Sequence, residues 1–217
     1  MLTLYGNRQT RTARCLWTLE ELALRYRHIP LNPNAGETRN ADYLALNPAG
    51  KVPTLVDDDF VLSESVAITY YLASKRQTSL WPSDPRAVAR IYQWSSWAST
   101  ELEFPLTMIV REMRRAAAAN DEPNKEMIAN CLKATETTLA TLETHLAGGR
   151  KYVAHSAFSI GDLNTAISVS FVAPRVDMSR FPATKAWLDR CLARPAWQRV
   201  QAIDEDKLRA EAAEASA

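Results

Sequence analysis

Cysteine is scarce in this chain: Cys15, Cys131 and Cys191 are 3 among 217 residues, an odd number with no closely spaced pair. That excludes a disulfide framework and a zinc ribbon. Histidine is as sparse, and His28, His145 and His155 do not fall at metal-ligand spacing, so all three read as structural or surface residues and no metal is expected. Neither sign of charge dominates, with 26 Lys and Arg against 25 Asp and Glu, so no uniformly basic face is implied and nucleic acid is not an expected partner. No apolar run is long enough to span a bilayer, and the first residues have neither a basic leader nor an apolar core ending in small residues. A cytoplasmic protein without membrane association is expected. Cys15, within a helical pattern, reads as a small buried apolar residue.

An apolar fraction of 47% is ordinary for a globular protein, and the length suffices for one large or two small domains. The most informative stretch is Asn47 to Ile68, NPAGKVPTLVDDDFVLSESVAI. It opens with the turn Asn47-Pro48-Ala49-Gly50. Val52 to Val56 and Phe60 to Leu62 then read as a hairpin closed by Asp57, Asp58 and Asp59. A helix follows, with Val66, Ala67, Tyr70 and Tyr71 at helical spacing and Lys75 and Arg76 at its C-terminus. Pro53 has no N–H to give a ladder, which leaves the backbone of Val52 for another partner. Glu64 and Ser65 stand at the helix start, where unpaired N–H groups and the positive dipole end favour a carboxylate. A ligand with a peptide backbone and a terminal α-amino acid suits both features.

Before this stretch, Leu2 to Tyr5 reads as a strand, Asn7 to Thr12 as a polar loop and Ala13 to Leu22 as an amphipathic helix. A second strand is expected at about Tyr26 to Leu31, parallel to the first, then a loop from Asn32 and a short helix from Ala41 to Leu46. The order β-α-β-α-β-β-α is thioredoxin-like and spans residues 1–77. Residues 78–86, TSLWPSDPR, read as a linker. From 87 to 217 strand signals vanish and an all-helical domain is expected. Pro105 should kink or interrupt its long first helix. Ser159 and Asp162 stand at capping-box spacing, flanked by Phe158 and Leu163 as a hydrophobic staple. Residues 204–217 read as a charged, alanine-rich tail that frays.

Gly50-Lys51-Val52-Pro53-Thr54-Leu55 followed by Glu64-Ser65-Val66-Ala67-Ile68 resembles the signature of the cytosolic glutathione transferases, and Ser159-x-x-Asp162 resembles the capping box of their helical domain. The resemblance covers nearly all the chain and is closest to bacterial theta-like, serine-type members. It implies glutathione as co-substrate without a metal, a hydrophobic electrophile as second substrate, and a homodimer. It also implies a cis bond before Pro53, Val52 pairing its backbone with the cysteinyl unit, and Glu64 and Ser65 holding the γ-glutamyl end. The serine-type position that activates the thiol is occupied by Thr10, with Thr12, Gln9 and Arg11 as neighbours that a shifted register would select. Threonine retains a donor hydroxyl, though its β-methyl restricts the rotamer. A thiol of pKa about 8.5 to 9 needs such a donor, each unit of pKa being worth about 1.4 kcal/mol. Thr10 or Thr12 as a plain N-cap is the structural alternative.

Thr38 and Arg39, where theta-like members present a His and a basic residue, and Lys51 are implied contacts of the glycyl carboxylate. Arg39 reads equally well as solvated charge. In the helical half, Trp97, Glu101 and Phe104 are candidates for the electrophile pocket, with core or dimer packing the alternative. The expected activity is thiolate addition to an electrophile. Glutathione-dependent disulfide or peroxide reduction, and a low-activity binding or regulatory protein, are the alternatives.

Overall fold

The computed structural model describes residues 1–214; of the expected tail, residues 215–217 lie outside the described residues. By its internal contacts the described chain forms two compact units, one of Met1–Trp81 together with the chain from Ala193 onward, the other of Pro82–Leu192.

The first unit begins with β1 (Leu2–Tyr5), α1 (Thr12–Glu21) and β2 (Tyr26–Ile29), continues through α2 (Ala41–Leu46), β3 (Thr54–Asp57) and β4 (Phe60–Ser63), and reaches α3 (Ser65–Ser74). The sheet order is β2-β1-β3-β4, with β1 and β2 parallel and the other two pairings antiparallel. Leu2 and Leu4 alternate inward and Leu4 is paired with the buried Leu55, as a sheet with one covered face requires. This is the thioredoxin-like order expected from the sequence. Two boundaries are corrected. β2 stops at Ile29 because Pro30 has no N–H for the ladder, and β3 starts at Thr54 rather than Val52 because Pro53 stands before it.

α9 (Pro195–Gln201) and α10 (Glu205–Glu214) belong to this unit by contact, although chain order places them after the other helices. Trp197 of α9 packs on the fully buried Trp17 of α1, ring centroids 4.9 Å apart. Arg194 clasps Glu21 through two hydrogen bonds of 2.6 and 2.8 Å. α10 lies against β2, the strand at one edge of the sheet. Of the expected tail, residues 205–214 are helical.

The second unit is all-helical: α4 (Pro85–Trp97), a π-helical segment (Ala98–Leu102), α5 (Glu103–Ala119), α6 (Lys125–Ala147), α7 (Ile160–Val172) and α8 (Pro182–Leu192). Pro105 sits in the first turn of α5, where a missing N–H is tolerated, and the interruption expected of it takes the form of the π segment just upstream. α7 is buried almost throughout and starts with the capping box that Ser159 and Asp162 complete.

Candidate functional site

The first loop and the hairpin entry meet because residue 6 is glycine. Gly6 has a φ of 122°, and a Cβ there would strike Thr12 Oγ1 and stand 2.7 Å from Val52 Cβ. Only glycine permits this approach. The peptide bond Val52–Pro53 is cis. Just before it, the Lys51 carbonyl accepts hydrogen bonds from Tyr43 Oη at 2.5 Å and Asn47 Nδ2 at 2.8 Å, which fix the strand entry from behind. Val52 lies outside the β1–β3 ladder, which begins at Thr54.

α3 begins directly after Glu64, a non-glycine residue at φ 70° and ψ 112°. A side chain held in that region is strained, and such residues concentrate at binding sites. No side chain caps this helix start. Ser65 Oγ accepts from Arg14 Nη1 at 3.1 Å, and Arg14 is only 1% exposed. A buried guanidinium and a helix N-terminus therefore converge on Ser65 and favour an anion there. Cys15 is next to Arg14, but burial pushes its thiol far up despite that charge, so it stays protonated and is not a nucleophile.

In the first loop, Thr10 turns back on Asn7. Its N–H and its hydroxyl both donate to the Asn7 carbonyl, at 3.1 and 2.7 Å. Thr10 Oγ1 is also 2.9 Å from Thr12 Oγ1 and accepts from the Thr12 N–H at 3.2 Å. Thr10 thus caps α1, although the residue immediately before that helix is Arg11. The two threonines differ in access. Thr12 is fully buried, whereas Thr10 is half-buried and lines a cavity of about 660 Å³ with Asn7, Arg8, Gln9 and Arg209. Gln9 and Arg11 are exposed.

Arg39 and Lys51 are exposed cations near one turn: a Cβ on Gly50 would lie 2.7 Å from Arg39 Nη1. Thr38 is 1% exposed, and it is its backbone carbonyl that packs at Gly50. Contacts run from Thr10 through Thr12, Gly6 and Val52, and Lys51 follows Gly50 and Arg39 at the other end; Arg14 and Ser65 meet one turn further along α1. This surface offers a free backbone edge, a hydroxyl pair, and two places for a carboxylate. Arg14, Tyr43 and Asn47 escape a motif reading. The available signal for Arg14 is that it is the only charge from Thr12 to Leu19, in a stretch that is otherwise apolar or hydroxyl-bearing.

In the second unit, Trp97 packs edge-on against Trp94 with centroids 5.1 Å apart, and Glu101 is exposed on the π segment. Phe104 is 62% exposed and lines a cavity of about 470 Å³ with Pro105, Met127 and Cys131, which neither Trp97 nor Glu101 borders. Among the described residues no group of three or more His, Cys, Asp and Glu could hold a metal ion, and no helix is long and apolar enough to cross a membrane.

Residues 1–74 match the family model of the glutathione S-transferase N-terminal domain, and residues 99–195 that of the C-terminal domain. The chain is 32% identical to glutathione S-transferase GstB of Escherichia coli K12 over 208 residues, covering 94% of this chain and 99% of that protein. It is 31% identical to glutathione S-transferase 3 of Zea mays, with 93% of each covered. Among solved structures it is similar to glutathione transferase F7 of Populus trichocarpa, with a TM-score of 0.81 at 28% identity over 93% of this chain and 98% of that one.

Proposed function

The chain belongs to the glutathione S-transferase family, and we propose that it is a glutathione transferase that grips the tripeptide along Val52 and adds its thiolate to an electrophile. The observation that carries the binding half is Arg14 on Ser65 at the uncapped start of α3, beside the cis Val52–Pro53 bond. In this reading the γ-glutamyl carboxylate takes the α3 N–H groups and the Ser65 hydroxyl, and Glu64 takes the α-amino group. Val52 pairs with the cysteinyl backbone, and Arg39 and Lys51 face the glycyl carboxylate. Thr38 is too deeply covered to contribute more than backbone.

The thiol loses its proton to solvent, and the Thr10 hydroxyl, turned from the Asn7 carbonyl toward sulfur, donates to the thiolate. Thr12 then donates to Thr10 and keeps it in place. The carbon–sulfur bond forms as the leaving group departs or the acceptor bond opens, with no covalent intermediate on the protein. The buried, protonated Cys15 gives no support to a mixed-disulfide role, which favours conjugation over reduction. A theta-like, serine-type placement with threonine in the serine position is part of the proposal, as is a cytoplasmic location. Trp97 and Glu101 are the proposed electrophile contacts; the orientation of Phe104 toward another cavity weighs against it.

Calorimetric titration with reduced glutathione tests the binding half. Ser65→Ala should weaken the Kd about 10- to 100-fold, the effect of one hydrogen bond to a charged group. An unchanged Kd would remove the α3 N-terminus from the site.

A homodimer is also proposed. Phe60 and Val61, 45% and 40% exposed on the edge strand β4, present apolar surface next to an unpaired backbone edge. Phe60→Glu should shift the mass from dimer to monomer in light scattering, with little change in helical content. A Phe60→Glu protein that remains dimeric would place the interface elsewhere.

A further inference from the structure

The closing helix reaches the first loop through one carboxylate. Glu205, at the start of α10, is 7% exposed, and its Oε1 accepts from the Arg8 N–H at 2.7 Å. That N–H belongs to the Asn7–Arg8 peptide. The carbonyl of the same peptide accepts both the N–H and the hydroxyl of Thr10. One rigid peptide plane therefore has Glu205 on one edge and Thr10 on the other.

A second anchor fixes the loop at its start. His28 Nε2 lies 2.7 Å from the Gly6 carbonyl, which can only accept, so that nitrogen carries the proton. Burial pulls the His28 pKa down, so the ring is neutral, and its Nδ1 is buried without a partner. At 3.7 Å from Glu205 Oε1, His28 is a neighbour of the carboxylate rather than its principal partner. Gly6 and Arg8 are thus each tied from outside the loop, and Asn7 between them carries the carbonyl on which Thr10 rests.

We propose that Glu205, backed by His28, is a positioning residue for thiol activation: it fixes the Asn7–Arg8 peptide and thereby the place of the Thr10 hydroxyl. The proposal rests on the reading of Thr10 given above. A carboxylate on the N–H edge does two things. It prevents the peptide from rotating, and it polarises the carbonyl opposite, strengthening its hold on the Thr10 N–H, the bond that stays when the hydroxyl turns to sulfur. Arg209, on the next turn of α10, pairs with Asp206 at 2.7 Å and lines the same cavity as Thr10. The C-terminal helix is accordingly part of the active apparatus without touching glutathione.

The test compares Glu205→Ala, Glu205→Gln and Glu205→Asp in the full chain, alone and with Thr10→Ala. Three quantities are read: the pKa of the bound glutathione thiol from its ultraviolet thiolate absorbance, kcat, and KM for glutathione. Glu205→Ala should raise the bound thiol pKa by about one unit and lower kcat about tenfold, the equivalence expected for one unit of pKa. KM for glutathione should move less than about threefold, because Val52 and Ser65 are untouched. Glu205→Gln keeps an acceptor oxygen and should recover most of the loss. In the Thr10→Ala background, Glu205→Ala should cost little more, since both act through one hydroxyl.

A folded Glu205→Ala protein with unchanged thiol pKa and kcat overturns the proposal, and so does a loss that simply multiplies with that of Thr10→Ala. Should the alanine variant not fold, Glu205→Asp, one methylene shorter, carries the same test, and an unchanged thiol pKa there overturns it equally. If Thr10→Ala itself leaves the thiol pKa unmoved, the reading of Thr10 falls first and the positioning role with it. A shift on Glu205→Ala alone therefore separates the two failures.

Discussion

Asp162→Ala is expected to destabilise the protein by about 3–5 kcal/mol, the range for removing one partner from a buried charged network. Asp162 is fully buried. Its Oδ1 accepts from the Val153 N–H at 2.8 Å and Trp187 Nε1 at 3.0 Å, and its Oδ2 from the Ser159 N–H at 3.0 Å and Ser159 Oγ at 2.9 Å. Burial pushes the carboxyl pKa up, and these four donors pull it back. Truncation leaves all four donors without an acceptor in a dry interior, each an uncompensated desolvation. It also leaves a cavity beside Trp187, which is itself 1% exposed. Asp162→Asn restores the volume but points two amide hydrogens at groups that are themselves donors, so it should recover only a small part.

The measurement is the urea midpoint at one fixed protein concentration, with far-ultraviolet circular dichroism as the signal. Any association would make stability depend on concentration, so concentration is held constant. A loss of this size is a large fraction of the ordinary 5–15 kcal/mol of a folded domain. A midpoint within about 0.2 M of wild type would mean that α7 folds without its capping box.

The sequence makes this element legible because a capping box is local: Ser159 and Asp162 are three residues apart, and the staple residues flank them. What spacing cannot supply is the tie to Val153 and to Trp187, which lies 25 positions onward. The same division holds in the first unit. Strand order and hairpin follow from alternation and turn chemistry, whereas the ends of β2 and β3 are set by Pro30 and Pro53, whose missing N–H groups act on a partner strand. Ser65 is legible as part of a motif, but Arg14, 51 residues earlier, is paired with it only by the crossing of α1 and α3. The docking of α10 is the least legible feature. An alanine-rich charged segment has no apolar stripe to announce a partner, and Glu205 is bound to Arg8 through a backbone N–H that any residue at position 8 other than proline would supply.

Thr10→Ala is expected to lower kcat about 10- to 100-fold at neutral pH and to raise the bound thiol pKa by about one to two units. The magnitude is that of one hydrogen bond to a charged acceptor, about 1.5–3 kcal/mol. The sign follows from which state the hydroxyl favours. A donor to sulfur stabilises the thiolate more than the thiol, so its removal shifts ionisation to higher pH and the activity profile moves the same way. The loss should therefore shrink as pH rises through the new thiol pKa, which a mere folding defect would not do.

Thr10→Ser keeps the donor and frees its rotamer, and should stay within about threefold of wild type, because only the β-methyl is lost. Thr12→Val is the discriminating control. Thr12 is buried under Gly6, and its hydroxyl meets Thr10 at 2.9 Å. If Thr12 only steadies Thr10, the valine variant should lose less than about fivefold, roughly the value of one neutral hydrogen bond. A larger loss on Thr12→Val than on Thr10→Ala would reverse the assignment, and it would require the loop to turn Thr12 outward, a movement that Gly6 at φ 122° and the close packing of Val52 oppose.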